Sequence, residues 1–179
     1  MEKELEKFLV EKYPDIFRDY RGDPRKTCMA FGMSCEKGWY QIINSMCRDI
    51  SKLIKNKDII FVADQVKEKF GGLRFYYHLE GNFNTLPKRI IRVIRIAMYN
   101  RKLGRLYNRL SNFREKFWKT LDEKIYDIVE KAESKSYITC EFCGEPGSQR
   151  GSGWVKTLCN HCGDKFEDGK RPWEEGWLD

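Results

Sequence analysis

Two C-x-x-C pairs near the C-terminus constrain the fold of this chain more than any other feature of the sequence. Cys140 and Cys143 form the first pair, and Cys159 and Cys162 form the second. Each pair can present two thiolates to one ion, and two pairs complete the tetrahedral shell that zinc prefers. We therefore predict one structural zinc ion, Zn2+, in a zinc ribbon over residues 140–162. The alternatives are four reduced thiols, two disulfides, or a site in which His161 replaces a cysteine.

Length and charge bound the class of the protein. With 179 residues, the chain can bury one core and carry a small metal-held appendage. Its net charge of +7 favours an anionic partner, such as a nucleic acid or a nucleotide. The N-terminus lacks the apolar run of a signal peptide, and no apolar stretch reaches the roughly 18 residues of a membrane span. We expect a cytoplasmic location and no membrane partner.

Two amphipathic helices are predicted in the first 54 residues. Leu5, Phe8 and Leu9 recur at helical spacing in residues 2–12, and Pro14 should end that helix. A second helix begins near Trp39 and should carry the core. Its apolar face contains Trp39, Ile42, Ile43, Met46, Ile50, Leu53 and Ile54. Cys28, Cys35 and Cys47 form no close pair, so we interpret them as small apolar residues and not as a second metal site.

Residues 59–79 predict a β-hairpin with Gly71 and Gly72 as its two-residue turn, because such turns need positive φ. This register pairs Phe70 with Leu73 and Lys67 with Tyr76. One face then collects Val66, Phe70, Leu73, Phe75, Tyr77 and Leu79, with Glu68 as a polar exception, and should pack on the Trp39 helix. The other face, called the polar face below, collects Gln65, Lys67, Lys69, Arg74, Tyr76 and His78.

The polar face is the predicted ligand site, because lysine and arginine charges, a stacking ring and hydrogen-bonding groups suit a phosphate next to a base. A solvated sheet face is the alternative interpretation.

Residues 86–132 predict two or three further helices, and residues 81–124 are predicted to form a basic helical insertion. Between Pro87 and Thr120 there are eleven basic residues against one acidic residue, a difference of +10, which exceeds the net charge of the whole chain. Helices in contact with solvent usually mix signs, so this bias favours contact with nucleic acid. The residues proposed for that contact are Arg92, Arg95, Arg101, Lys102, Arg105 and Arg109. A charged helix exterior is the alternative.

The predicted class is α+β: a small antiparallel sheet packed on helices, a helical insertion and a C-terminal zinc ribbon. Residues 1–80 form the core, residues 81–124 the insertion, and residues 125–179 the end of a helix, the ribbon and an aromatic tail. Trp173 and Trp177 in that tail are expected to dock it onto the fold.

Several stretches of the chain resemble a family of small, largely uncharacterised proteins of phages and mobile elements. They include Asp23-Pro-Arg-Lys-Thr-Cys-Met-Ala-Phe-Gly, the block Lys67-Glu-Lys-Phe-Gly-Gly-Leu-Arg-Phe-Tyr-Tyr77, and the two cysteine pairs. The resemblance covers roughly residues 14–80 and 125–163, and the basic insertion departs from it. It implies a phage setting, in the cytoplasm of the host cell, where small accessory proteins act on host machinery or host defence.

These observations favour a non-catalytic accessory or counter-defence protein that binds an anionic ligand, either a nucleic acid or a nucleotide signal. The first alternative is an inhibitor that binds a host protein through the helical insertion. The second is a metal-dependent nuclease, since Asp58, Asp64 and Glu68 lie near Gln65 and Lys67. Strand alternation argues against the nuclease, because it places Asp64 and Glu68 on the face opposite to Gln65 and Lys67.

Overall fold

The computed structural model describes residues 1–81, 121–151 and 154–167. These residues form an α+β fold, as predicted. The helices are α1 (Lys3–Lys12), α2 (Tyr40–Ile54), α3 (residues 121–136) and α4 (Asn160–Glu167). The strands are β1 (Ile60–Lys69), β2 (Gly72–Glu80), β3 (Ser148–Arg150) and β4 (Lys156–Leu158). The six basic residues proposed for nucleic-acid contact, and the tryptophans of the tail, lie outside the described residues. Among the described helices, none has the length and apolar character to cross a membrane.

Helix α1 follows the predicted pattern but buries a charged side chain. Its acidic residues in the first turn suit the helix dipole, and the chain leaves the helix at Tyr13, just before Pro14. Leu9 is fully buried, whereas Phe8 is half-exposed and contacts the ring of Tyr40. The buried carboxylate of Glu6 accepts hydrogen bonds from the hydroxyl of Tyr20 and the backbone N–H of Met33. These bonds tie α1 to the loop that precedes α2.

The core forms between α2 and the inner face of the hairpin, as the apolar pattern predicts. Trp39, which precedes α2 in a short 3-10 turn, is fully buried, and so are the inward residues of α2. Phe61 of β1 stacks on both Phe75 and Tyr77 of β2. Such aromatic pairs add to the hydrophobic stabilisation that burial provides. The same cluster includes Leu121, Ile125 and Val129 of α3.

The hairpin exists, but its predicted turn is displaced by one residue. Phe70 and Gly71 occupy the turn, with φ of 53° and 72°, and Gly72 is the first residue of β2. Positive φ at both central positions is the requirement of a type I′ turn. A Cβ on Gly72 would lie 2.4 Å from the ring of Tyr137, so Gly72 serves this close approach instead of the turn. The pairs are Lys69 with Gly72, Lys67 with Arg74, Val66 with Phe75 and Gln65 with Tyr76.

The shift leaves most residues on their predicted faces, with two exceptions. Val66, Leu73 and Phe75 are buried on the inner face. Phe70 was assigned to this apolar face, but in the turn it is 69% exposed. A register irregularity between Ala63 and Gln65 marks a β-bulge at Asp64. Asp64, predicted on the inner face, instead contacts His78 of the polar face. Glu68 remains on the inner side, where its carboxylate accepts from the N–H of Gly71.

Both edges of this two-stranded sheet are covered by other elements. Along β1, Ser34 forms a parallel bridge with Lys67, and the N–H of Ala63 donates to the carbonyl of Ile16. Along β2, side chains near the end of α3 accept the free backbone donors: Glu133 from Phe75, and Ser136 from Leu73. Because an isolated hairpin is marginal in water, these edge contacts are part of what stabilises it.

Neighbouring residues of β2 provide a test of the register. Phe75→Ala is expected to lower the free energy of unfolding by about 3–5 kcal/mol, because it removes a buried ring. Tyr76→Ala, a matched truncation on the outer face where the ring is 43% exposed, should cost less than about 1 kcal/mol. Urea denaturation measures both values. Equal losses, or a larger loss for Tyr76→Ala, would show that the register is wrong.

Candidate functional site

The ribbon brings the two cysteine pairs together through two different local structures. The first pair lies in a tight turn in which the N–H of Gly144 donates to the carbonyl of Cys140. The second pair leads directly into α4, where the N–H of Gly163 donates to the carbonyl of Cys159. Between them, β3 and β4 pair antiparallel. The short hairpin therefore returns the chain to its starting point and places the second pair beside the first.

The four sulfur atoms have the separation that a tetrahedral metal requires. All four lie within 4.8 Å of one another, and those of Cys143 and Cys159 are 3.6 Å apart. Zinc–sulfur bonds of about 2.3 Å in a tetrahedron place neighbouring sulfurs roughly 3.8 Å apart, whereas a disulfide needs about 2.05 Å. The cysteines are free thiols. The cluster could hold a metal ion, and its four ligands would complete a closed shell.

The thiols of the cluster differ in how readily they lose their protons. Burial raises the pKa of Cys143 to about 11. The pKa of Cys159 is lowered overall: burial acts to raise it, but the hydrogen bond from the N–H of Cys162 and the neighbouring thiols outweigh that effect. Because clustered thiolates repel one another, a cation between them supplies the charge that lets all four ionise.

The other three cysteines form no comparable group. Within residues 1–81, 121–151 and 154–167, the four ribbon cysteines are the one set of three or more metal-ligating side chains that meets in space. Cys35 and Cys47 are buried, and burial raises the pKa of the Cys35 thiol to about 12. Cys35 and Cys47 are small apolar core residues, as the sequence predicts, whereas Cys28 is exposed.

The first cysteine pair is docked onto the start of α2. The buried indole N–H of Trp39 donates to the carbonyl of Thr139, at 2.9 Å. The N–H of Gly38 donates to the carbonyl of Glu141, at 2.7 Å. A Cβ on Gly38 would lie 2.2 Å from the carbonyl oxygen of Cys140, so only glycine fits. The candidate metal centre is therefore in direct contact with the core.

On the polar face, lysines and aromatic rings lie in pairs. The ammonium of Lys67 lies 5.2 Å from the ring centroid of Tyr76, and that of Lys69 lies 5.3 Å from the ring of Phe70. Both distances suit cation–π contact. Gln65 lies directly opposite Tyr76 in the sheet. Strand alternation places Gln65, Lys67 and Lys69 on one side of β1, and Phe70 follows in the turn.

Two other residues predicted on the polar face already have partners within the fold. Arg74 donates to the hydroxyl of Tyr137 and lies 3.8 Å from a carboxylate oxygen of Glu133. The two ring nitrogens of His78 contact Asp64 at 2.7 Å and Glu80 at 3.2 Å. Arg74 therefore joins the hairpin to α3, and His78 belongs to a local charge network.

That network, formed by Arg18, Asp64, His78 and Glu80, was not predicted from the sequence. Arg18 binds Glu80 through two guanidinium nitrogens across a long sequence separation. Burial acts to lower the pKa of His78, but its hydrogen bonds to Glu80 and Asp64 outweigh burial and raise it. The hydrogen bonds from Arg18 and His78 lower the pKa of Glu80 to about 2.

The β-bulge at Asp64 also bears on the nuclease alternative. Asp64 does reach the face that carries Lys67, so one of the two geometric objections to that alternative was wrong. The other stands, because Glu68 lies on the opposite side. In the described part of the chain, the carboxylates and His78 do not form a cluster of three or more side chains that could hold a metal ion.

Removing one metal ligand should test the coupling between the ribbon and the core. Cys143→Ser is expected to lower the bound metal and the melting temperature together, because metal binding contributes to folding free energy. Metal analysis and thermal unfolding of the same preparation measure both. Cys28→Ser is the matched control and should change neither, because Cys28 is exposed and outside the cluster. Metal-free wild-type protein that melts like the loaded form would contradict the coupling.

The charge network predicts a pH-dependent contribution to stability. The pKa of His78 is raised by folding, so its contribution is complete below the ordinary value of 6.5 and is lost as pH rises through the folded-state pKa. The pKa of Glu80 is lowered, so its contribution is present above 4.5 and is lost as pH falls toward about 2. The melting-temperature difference between wild type and His78→Gln should therefore be largest from about pH 4.5 to 6.5.

The control for this pH profile is Glu4→Gln, which removes one carboxylate charge from the exposed side of α1. Its melting-temperature difference from wild type should show no maximum in that window. A His78→Gln difference that stays constant from pH 3 to pH 9 would contradict the network.

No protein-family model, no curated protein and no solved structure matches this chain. The features that bear on function are therefore the metal cluster and the polar face.

Proposed function

We propose that this protein is a non-catalytic binding protein that captures an anionic, base-carrying ligand on the polar face of its hairpin. The ligand is a nucleic-acid strand or a nucleotide. The observation that carries the proposal is the pairing of Lys67 with Tyr76 and of Lys69 with Phe70. Each pair combines a ring for a base with a cation for a phosphate.

The exposure of the rings supports this role. Phe70 is 69% exposed and Tyr76 is 43% exposed, so both offer ring surface to a ligand. Truncating such stacking rings costs about 1–3 kcal/mol per base in single-strand binding proteins. Neither Lys67 nor Lys69 forms an ion pair with another described residue, so their charges remain available to a phosphate. By contrast, the charges of Arg74 and His78 serve contacts within the fold.

We further propose that the metal is one zinc ion with a structural role. Four thiolates without an open position suit zinc better than the harder cations, which prefer oxygen ligands. The resemblance to phage proteins supports an accessory or counter-defence setting in the host cytoplasm. In that setting, the basic insertion extends the anion-binding surface or contacts a host protein.

Fluorescence anisotropy with a labelled oligo-dT and with labelled ATP tests the binding role at low salt. Tyr76→Ala is expected to weaken binding about tenfold or more by removing a stacking surface. Lys67→Ala should weaken it and reduce the dependence on salt concentration, because one phosphate contact is lost. Preference for the oligonucleotide or for ATP identifies the ligand class.

The matched controls are Lys52→Ala on α2 and Tyr126→Ala on α3, two exposed residues that are not part of the polar face. Both should bind like the wild type. Absence of binding to either ligand at low salt, or equal losses in the controls, would refute the proposal.

A further inference from the structure

A cavity of ≈ 540 Å³ lies where the ribbon meets the core. Its volume falls in the range of about 300–1,000 Å³ that is typical of small-molecule sites. The core lines it with Met1, Ser34, Cys35, Glu36 and Glu68. The ribbon and α4 line it with Glu141, Trp154, Lys156 and Phe166. The cavity is on the inner side of β1, since Glu68 points away from the polar face, so it is separate from the surface proposed above.

The charged groups of the cavity leave an excess of negative charge. Lys156 is nearly buried, and its ammonium lies 2.8 Å from Glu141 and 3.8 Å from Glu68. With Glu36, three carboxylates line the cavity against two cations, the ammonium of Lys156 and the α-ammonium of Met1, a formal charge of −1. The α-ammonium of Met1 also lies 3.9 Å from a carboxylate oxygen of Glu6. In a protein with a net charge of +7, a recess of this sign favours a cation.

The aromatic wall of the cavity adds a second feature that suits a cation. Trp154 is 72% exposed although it lines the cavity, so its indole has ring surface open to a ligand. Phe166 packs near Phe142, and the ammonium of Lys156 lies over the Phe142 ring at 5.8 Å. Among aromatic side chains, tryptophan binds cationic groups most strongly on its ring face, and the carboxylates of the cavity add an opposite charge. Apolar walls also accommodate the carbon stem that carries such a group.

We propose that this cavity binds a guanidinium or ammonium group on an apolar stem. Trp154 covers the cation, Glu36 and Glu68 supply the opposite charge, and Lys156 holds Glu141 and Glu68 in place. The same chemistry exists in a free amine, such as agmatine or spermidine, and in an arginine or lysine side chain of a protein. This proposal does not depend on the proposed function, because no side chain is shared between the two sites.

Isothermal titration calorimetry with agmatine, spermidine and N-acetyl-arginine methylamide tests the proposal on the zinc-loaded chain. Trp154→Ala is expected to weaken binding at least tenfold, and Glu36→Gln about threefold. Both residues lie at the cavity surface and not in the core, so the variants should fold, and their melting temperatures check this. Tyr126→Ala, which removes an exposed ring elsewhere, should bind like the wild type. With 15N-labelled tryptophan, the indole signal missing from Trp154→Ala should be the one that the ligand shifts.

The outcomes separate the sources of the cation and the two proposals. Tighter binding of agmatine or spermidine indicates a free amine, and tighter binding of the arginine amide indicates a protein side chain. No heat with any of the three at millimolar concentration, or binding unchanged in Trp154→Ala, overturns the proposal. Trp154→Ala should keep oligo-dT binding, and Tyr76→Ala should keep cation binding, so either site can fail without the other.

Discussion

The hydrogen bond from the buried indole of Trp39 to the carbonyl of Thr139 is the contact on which the rest of the structure depends. Trp39 is the largest fully buried side chain among the described residues, and a buried indole N–H without an acceptor would cost stability. Its acceptor belongs to the residue just before the first metal-ligating cysteine. The position of that carbonyl is therefore set by the turn that the metal would hold. Because Gly38 has no side chain, its backbone lies directly against the backbone of the same turn. The ribbon is therefore packed as part of the core.

The hairpin also depends on other elements, because a sheet of only two strands is marginally stable by itself in water. Its turn is fixed from the ribbon side: Thr157 donates to the carbonyl of Gly71, and Gln149 donates to that of Phe70. These bonds help to hold Phe70 at a φ that a bulky residue rarely adopts. The free edge of β2 is satisfied by Glu133 and Ser136 of α3. Elements distant in sequence thus fix the register that orients Lys67 and Tyr76.

The sequence predicts the helices, the hairpin and the cysteine cluster because each has a local signal: apolar periodicity, a glycine turn, or ligand spacing. What it could not predict depends on partners far along the chain. Gly72 resembles a turn residue until Tyr137 is known to lie against it. Asp64 leaves the alternation of its strand at a bulge that has no local marker. Arg18 and Glu80 lie far apart in the sequence, and no periodic pattern relates them. The sequence therefore does not predict the network around His78.

The alternation of β1 places opposite charges on opposite sides of one strand. Lys67 and Lys69 point to the polar face, and Glu68 between them points to the cavity and to Lys156. Adjacent residues of β1 therefore belong to two proposed sites, one for an anion and one for a cation. The sites differ in what builds them. The polar face consists of hairpin residues, whereas four of the nine residues that line the cavity, Glu141, Trp154, Lys156 and Phe166, come from the ribbon and α4. Because a metal ion would order the ribbon, its loss should weaken the cation site, to which the ribbon contributes side chains, more than the anion site, to which the ribbon contributes two hydrogen bonds at the turn.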